Sequence, residues 1–324
     1  MPANLPPQYF EAEKRYRAAK AVPEKIRALE EMLSIMPKHK GTDKLKARLR
    51  RKIAELTESA QRKGTLARFS YSIRKEGAGQ LALTGLPNSG RSSLLSALTN
   101  AGAEVADYPY TTRTPLPGMM PIENIQFQLI DTPSLMDESA EAWLPNILRN
   151  ADALLVTVDL SEDPETQLEL ILEALSGWKL ELSQARELSR DGRQMQRALI
   201  VGTKLDREGA LGGRESLSAL CKGRFPFVAV SARTGEGLEE LKRLTFELLD
   251  ILRVYTKAPG KKPDLRAPFI LPRGSTVEDL AASVHQDFLQ GLKYARVWGS
   301  GKFDGQRVKR DFILSEGDVV ELCT

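Results

Sequence analysis

Cysteine is nearly absent from this 324-residue chain, with Cys221 and Cys323 its only two. Thiols that far apart build neither a disulfide framework nor a zinc site, and they suit a reducing compartment, so a cytoplasmic location is expected. Histidine is equally scarce. His39 sits in a basic turn and His285 on a helical stretch, and neither has neighbours that suggest metal binding or general-base work. No Ser/His/Asp or Cys/His constellation can be assembled. Trp143, Trp178 and Trp298 are expected to be packing residues, with Trp298 the one that could be exposed. Apolar runs are short: residues 153–158 form one of the longest, far below the roughly 18 that a membrane span needs. The first residues lack the basic and apolar regions of a signal peptide. No membrane partner is expected, and no repeat or low-complexity tract is visible.

The chain has enough apolar residues for a core. Hydrophobic residues make up 41% and charged residues 28%, which excludes wholesale disorder. The formal charge of +4 hides an asymmetry. Residues 1–79 hold 19 Lys/Arg against 9 Asp/Glu, residues 80–264 hold 20 against 26, and residues 265–324 hold 8 of each. The basic excess of +10 therefore sits in one segment, as a module that meets polyanions would have it. A solvated helical face is the other reading of the same charges.

Hydrophobic spacing divides the chain. Tyr9, Phe10, Tyr16, Ile26, Leu29, Met32, Leu33 and Met36 recur mostly at three- and four-residue steps, predicting helices in a basic N-terminal domain, residues 1–78. Thr42 can cap a further helix over 43–59, whose outer face carries Lys44, Lys46, Arg48, Arg50, Arg51 and Lys52. From Gln80, short apolar strands (80–85, 125–130, 153–158, 198–202, 226–230) alternate with helices (91–100, 138–150, 164–176, 214–221, 236–253). This is the pattern of an α/β domain with a mostly parallel sheet covered on both faces, residues 79–255. A Pro- and Lys-rich stretch, 256–266, is expected to be a linker. Residues 267–324 predict a small α+β domain with strands 268–271, 294–298 and 318–322 and a helix over 276–290.

Four loops in the middle domain carry chemistry. Gly85, Leu86, Pro87, Asn88, Ser89, Gly90, Arg91, Ser92 and Ser93 join a strand to a helix, the setting of a phosphate-binding P-loop. Backbone N–H groups there wrap phosphates, and the Ser92 hydroxyl is placed for Mg²⁺. The pattern G-x-x-x-x-G-K-[ST] requires Lys where Arg91 stands. Asp131 follows the second strand, where a carboxylate can hold a Mg²⁺-bound water. Thr203, Lys204, Leu205 and Asp206 follow a later strand. A carboxylate in that loop can accept both N1–H and the exocyclic amine of guanine, whereas adenine would leave it unpaired. Ser231 and Ala232 follow the next strand, where a small residue lets a backbone amide reach guanine O6. Four such loops at strand carboxyl ends put a nucleotide on the edge of the sheet.

With these residues the chain resembles an Obg/DRG-type GTPase of the translation-factor class carrying a C-terminal TGS domain. Asp107, Tyr108, Pro109, Tyr110, Thr111 and Thr112 are similar to that family's first switch. Ser275, Thr276, Val277, Glu278, Asp279 and Leu280, with Trp298 and Gly299, resemble TGS domains of the DRG branch. The resemblance implies a P-loop GTPase fold with a β-grasp TGS domain, GTP and GDP as ligands, Mg²⁺ as cofactor, and an RNA, ribosomal or protein partner. It implies that Thr112, with Thr111 as the alternative, closes over the γ-phosphate and Mg²⁺, and that Lys204 packs along the base. Asn88 matches a P-loop asparagine that in relatives helps hold K⁺, an ion that can supply transition-state charge. The domain that DRG proteins insert in the G domain is expected to be missing, since residues 160–197 leave room only for helices.

Three departures bear on catalysis. The Arg91 guanidinium is longer and wider than an ammonium. Ser134 replaces a glycine and loses its φ > 0 options. Leu135 stands where a water-orienting glutamine is found in Ras-like enzymes. A hydrophobic residue at that last position is common in the resembled class, so it is on Arg91 and Ser134 that slow hydrolysis is expected, with a nucleotide-sensing module without turnover as the alternative. ATP as the nucleotide is disfavoured by Asp206.

Overall fold

The computed structural model describes residues 7–19, 22–35, 46, 49–53, 73–99, 115–137, 140–183 and 194–324. The chain divides into two units, residues 1–71 and 72–324.

In the first unit, helices α1 (Pro7–Ala18) and α2 (Val22–Ile35) pack through Tyr9, Ala12, Leu29 and Met32, joined by Leu49 from a short helical stretch. Tyr9, Ala12 and Tyr16 follow i, i+3, i+7 spacing and share one side, so Phe10, rotated by about 100°, is exposed rather than part of the stripe. Arg50, Arg51 and Lys52 are exposed as expected, while Lys44, Arg48 and His39 lie outside the described residues.

The second unit begins with β1 (Gln80–Gly85) and α3 (Arg91–Leu98), then β2 (Leu116–Ile122), β3 (Ile125–Asp131), α4 (Leu144–Asn150), β4 (Ala153–Asp159) and α5 (Pro164–Gly177). β5 (Leu180–Ser183), β6 (Gln194–Thr203), α6 (Ala210–Cys221), β7 (Phe227–Ala229) and α7 (Leu238–Leu249) complete a seven-stranded sheet and its helices. The sheet order is β2-β3-β1-β4-β6-β5, with β7 also on β6, and only β2 runs antiparallel. Every residue of β1 and β4 is buried, so both faces are covered, as parallel strands require. β1 lies between β3 and β4, where the order of strands reverses, and this puts its following loop at the switch point of the sheet.

β8 (Ile251–Thr256), β9 (Phe269–Pro272), α8 (Val277–Val284), α9 (Gln286–Gly291), β10 (Tyr294–Trp298), β11 (Gln306–Val308) and β12 (Val319–Cys323) form a second sheet, ordered β11-β10-β12-β8-β9, with α8 on its inner face.

Several expectations are corrected. The helix expected over 236–253 stops at Leu249, because Asp250 adopts a left-handed cap (φ 54°) and turns the chain into β8. β8 pairs with β12 and β9, so the α/β domain ends near 250 rather than 255, and 256–266 is a loop within the second sheet rather than an interdomain linker. Residues 160–197 hold strand β5 and the start of β6 as well as a helix. The helix expected over 276–290 breaks at His285, whose extended backbone (φ −173°) ends α8 and whose ring Nδ1 accepts from Asp287 N to cap α9. Strand β2 was not anticipated. It holds Pro117 and Pro121, which an edge strand tolerates.

Candidate nucleotide site

The loop after β1 is shaped by close approaches. A Cβ on Gly85 would meet Thr157 Oγ1 at 2.5 Å, so β4 leaves room for hydrogen alone. Asn88 (φ 60°) and Gly90 (φ 85°) take left-handed conformations that reverse the loop onto the first turn of α3. Ser89 is buried and bonds Thr157 across the loop at 2.7 Å. Thr203 Oγ1 donates to Ser89 O at 2.8 Å and ties the loop to the end of β6. The result is a polar cleft of about 600 Å³ over Asn88, Gly90, Ser92 and Ser93, flanked by Lys204 and Arg207.

Arg91 fits into this loop rather than being expelled by its size. Its Nη1 donates to Gly85 O at 2.6 Å and Leu86 O at 2.7 Å. Ser92 Oγ donates to Asp131 Oδ2 at 2.5 Å. Arg91 Nε lies 3.8 Å from Asp131 Oδ1, and both atoms are buried without a hydrogen-bond partner among the described residues. Burial pushes the Asp131 carboxyl up, partly countered by the Ser92 hydroxyl and the Arg91 charge.

Asp206 and Ser231 lie together, from the loops after β6 and β7. The Ser231 hydroxyl donates to Asp206 Oδ1, and Arg233 Nε donates to Oδ2 at 2.7 Å. These two bonds hold the Asp206 carboxyl below the usual carboxylate range, the Ser231 bond contributing most. A pocket of about 380 Å³ adjoins them, lined by Gly90, Leu94, Thr203, Lys204, Asp206 and Ala232.

Sequence reasoning missed the partner of Lys204. Lys204 is left-handed (φ 58°), and its ammonium bonds the buried carboxylate of Asp159 at the end of β4. Burial pushes Asp159 up, but bonds from Lys204 and Ser161 outweigh it and hold its pKa low. The signal in the sequence is an aspartate ending an apolar strand. Thr157, which supports the P-loop, carries no such mark.

Two other departures look different in three dimensions. Ser134 is not among the residues with positive φ, so the lost glycine leaves no backbone strain. Leu135 is buried, and its N–H donates to Gly85 O at 3.2 Å, so it packs inward beneath the P-loop. Thr111 and Thr112 lie outside the described residues.

The 50S ribosome-binding GTPase model matches residues 80–188, and the TGS domain model matches residues 252–324. An uncharacterized GTP-binding protein of Methanocaldococcus jannaschii is 30% identical, over 93% of this chain and 92% of that protein. This chain belongs to the DRG-type GTPases with a TGS domain. Developmentally-regulated GTP-binding protein 2 of Homo sapiens is 25% identical over 92% of this DRG-type chain and 98% of its own. A solved GTP-binding protein from Pyrococcus horikoshii shares the fold, with a TM-score of 0.53 at 17% identity over 76% of this chain and 99% of that one. The fold is accordingly a P-loop GTPase domain followed by a TGS domain, and GTP binding and hydrolysis are the family's chemistry. Among the described residues no helix is long and apolar enough to cross a membrane.

Proposed function

We propose that this DRG-type GTPase is a cytoplasmic guanine-nucleotide switch that hydrolyses GTP slowly and acts on RNA or the ribosome. The observation that carries the slow turnover is the posture of Arg91. Its Nη1 is committed to Gly85 O and Leu86 O, and its Nε is buried beside Asp131. A lysine ammonium has three donors on a single mobile point, whereas this fork is held at several positions and has less freedom to follow charge onto a γ-phosphate.

The remaining roles follow the loops. Residues 85–93 bind the phosphates, Lys204 lies along the base, Asp206 reads guanine, and Ala232 with Ser231 reaches its O6. Magnesium suits the donors present: the Ser92 hydroxyl already meets the Asp131 carboxylate, whose other oxygen is buried without a partner among the described residues. Those two groups with Thr112 would hold the ion, which when bound neutralises phosphate charge. Asn88 borders the phosphate cleft, the position a K⁺-assisting side chain needs.

A second reading, a nucleotide sensor without turnover, draws on the same departure from the P-loop pattern, since Arg91 held on Gly85 O and Leu86 O leaves the γ-phosphate without a mobile cation. Single-turnover hydrolysis in Mg²⁺, with K⁺ or Na⁺, separates the two. Slow hydrolysis stimulated by K⁺, and made about 10-fold faster by Arg91→Lys (~1.4 kcal/mol), supports the switch. Stoichiometric GTP binding with no phosphate release under either salt makes the chain a sensor. If Arg91→Lys is slower than wild type, the loop has adapted to its guanidinium.

A further inference from the structure

Lys204 borders two spaces at once, the pocket beside Asp206 and the polar cleft over the P-loop. Its methylene stem suits a flat base, and its ammonium suits phosphate oxygens. A lysine free to rotate would follow its charge into the cleft. The fold does not leave it free.

The ends of β4 and β6 are laced together at this point. Asp159 and Thr203 are the last in-register pair of the two strands, and Leu160 N donates to Thr203 O at 3.1 Å. Lys204 follows directly in a left-handed conformation (φ 58°), which is costly outside glycine and persists only where surrounding contacts enforce it. Its ammonium then meets the buried Asp159 carboxylate.

Asp159 is itself immobilised. Its Oδ1 accepts from Ser161 N at 2.9 Å and from Ser161 Oγ at 2.7 Å, while its Oδ2 takes Lys204. The Gln167 amide of α5 clasps its backbone: Asp159 N donates to Oε1 and Nε2 donates to Asp159 O, both at 3.0 Å. The lysine is therefore anchored to a group that cannot follow it.

We propose that Asp159 is a positioning residue for the purine base. By taking the Lys204 ammonium it withholds that charge from the phosphates and lays the stem along the wall of the base pocket. The base then meets a platform already in place, and Asp206 reads its edge. The inference rests on the reading above that Lys204 lies along the base, and it supplies what holds the side chain there. A residue that merely closed the end of β4 would need the Ser161 and Gln167 bonds, but not a buried charge turned to the lysine of the base pocket.

The test is titration calorimetry of the full chain with GTP, inosine triphosphate and inorganic triphosphate in Mg²⁺, with the melting temperature followed for each variant. Asp159→Asn should weaken both nucleotides alike by about 10-fold, or ~1.4 kcal/mol, because the base must then order a free lysine side chain. Inorganic triphosphate, which has no base, should bind at least as tightly as before. Ser161→Ala removes a bond to the same carboxylate but spares the ion pair, so it should lower the melting temperature without weakening GTP. Lys204→Ala should weaken GTP, and adding Asp159→Asn to it should weaken GTP no further, since Asp159 acts through that lysine alone. Should Asp159→Asn not fold, Asp159→Glu, which keeps the charge but moves it by one methylene, should still weaken GTP and spare triphosphate. Equal losses of GTP and triphosphate, or a loss in Ser161→Ala as large as that in Asp159→Asn, would make Asp159 a structural clasp and overturn the proposal. So would additive losses in the double variant, or a loss confined to GTP, which would put the effect on Asp206. If Lys204→Ala weakens GTP and the Asp159 variants do not, the positioning role fails while Lys204 keeps its place along the base. Unchanged GTP affinity in Lys204→Ala defeats both.

Discussion

The two sheets of residues 72–324 solve the same problem in opposite ways. In the nucleotide domain, β4 is buried at every position, whereas β10 in the TGS domain alternates buried and outward residues. A parallel sheet needs crossover helices, and those helices cover both faces. Its chemistry is therefore confined to loops at the strand ends, where Gly85, Asp131, Thr203 and Ser231 emerge. The mixed TGS sheet has helix α8 on one face and can leave part of the other open. One sheet works at its edge, while the other keeps part of a face bare, with the Arg296 side chain 51% exposed.

The largest effects should come from breaking the covered sheet. Leu155 of β4 is fully buried, so Leu155→Ala should cost about 3 kcal/mol, measured by denaturant unfolding. An outward TGS substitution such as Arg296→Gln should leave unfolding nearly unchanged. Equal losses would mean that the open face is structural.

Next comes the edge. Asp206→Asn should weaken GTP about 100-fold or more and favour xanthine nucleotides, because the carboxylate's pair of acceptors is replaced by one donor and one acceptor. Comparable wild-type affinity for ATP and GTP would defeat the assignment. The sign of the pH dependence follows from Ser231 and Arg233, which hold the Asp206 carboxyl low. Guanine recognition needs the carboxylate, so GTP affinity should persist on acidification through the usual carboxylate range and fall only below it. Titration calorimetry across pH checks this.

The junction of the two sheets supplies a smaller effect. Arg253 of β8 donates to Glu316 Oε1 at 2.6 Å and Asn124 Oδ1 at 3.1 Å, also pairs with Glu123, and is 15% exposed. Its loss would remove these hydrogen bonds and the packing of its largely buried stem at the junction, and Arg253→Ala should destabilise by about 2 kcal/mol. Arg243 also has two acidic partners, Glu240 and Glu247, but on an exposed helix face. Arg243→Ala should leave the melting temperature unchanged, since water and salt screen such pairs. The same residue type then separates a junction from a surface.

Much of the edge was legible because each loop directly follows a short apolar strand, and local order along the chain carries the signal. Strand positions near 80–85, 125–130 and 153–158 agree with β1, β3 and β4 to within a residue. The elements that were missed lack a clean pattern of their own. β2 has two prolines and no clean alternation, and only its pairing with β3 makes it a strand. β8 looked like the end of a long helix until Asp250 turned left-handed and the distant β12 offered it a partner.

By itself the sequence determined the family, the order of the nucleotide loops and the residue types available in each, because all of these are properties of neighbours along the chain. Tertiary structure alone decided that Arg91 turns back to Gly85 and Leu86, that Lys204 finds Asp159 45 residues away, and that Trp298 carries Lys257 on an open half of the TGS sheet. The last two depend on which strands lie side by side. That choice is set by burial summed over a whole domain, and no local pattern records it.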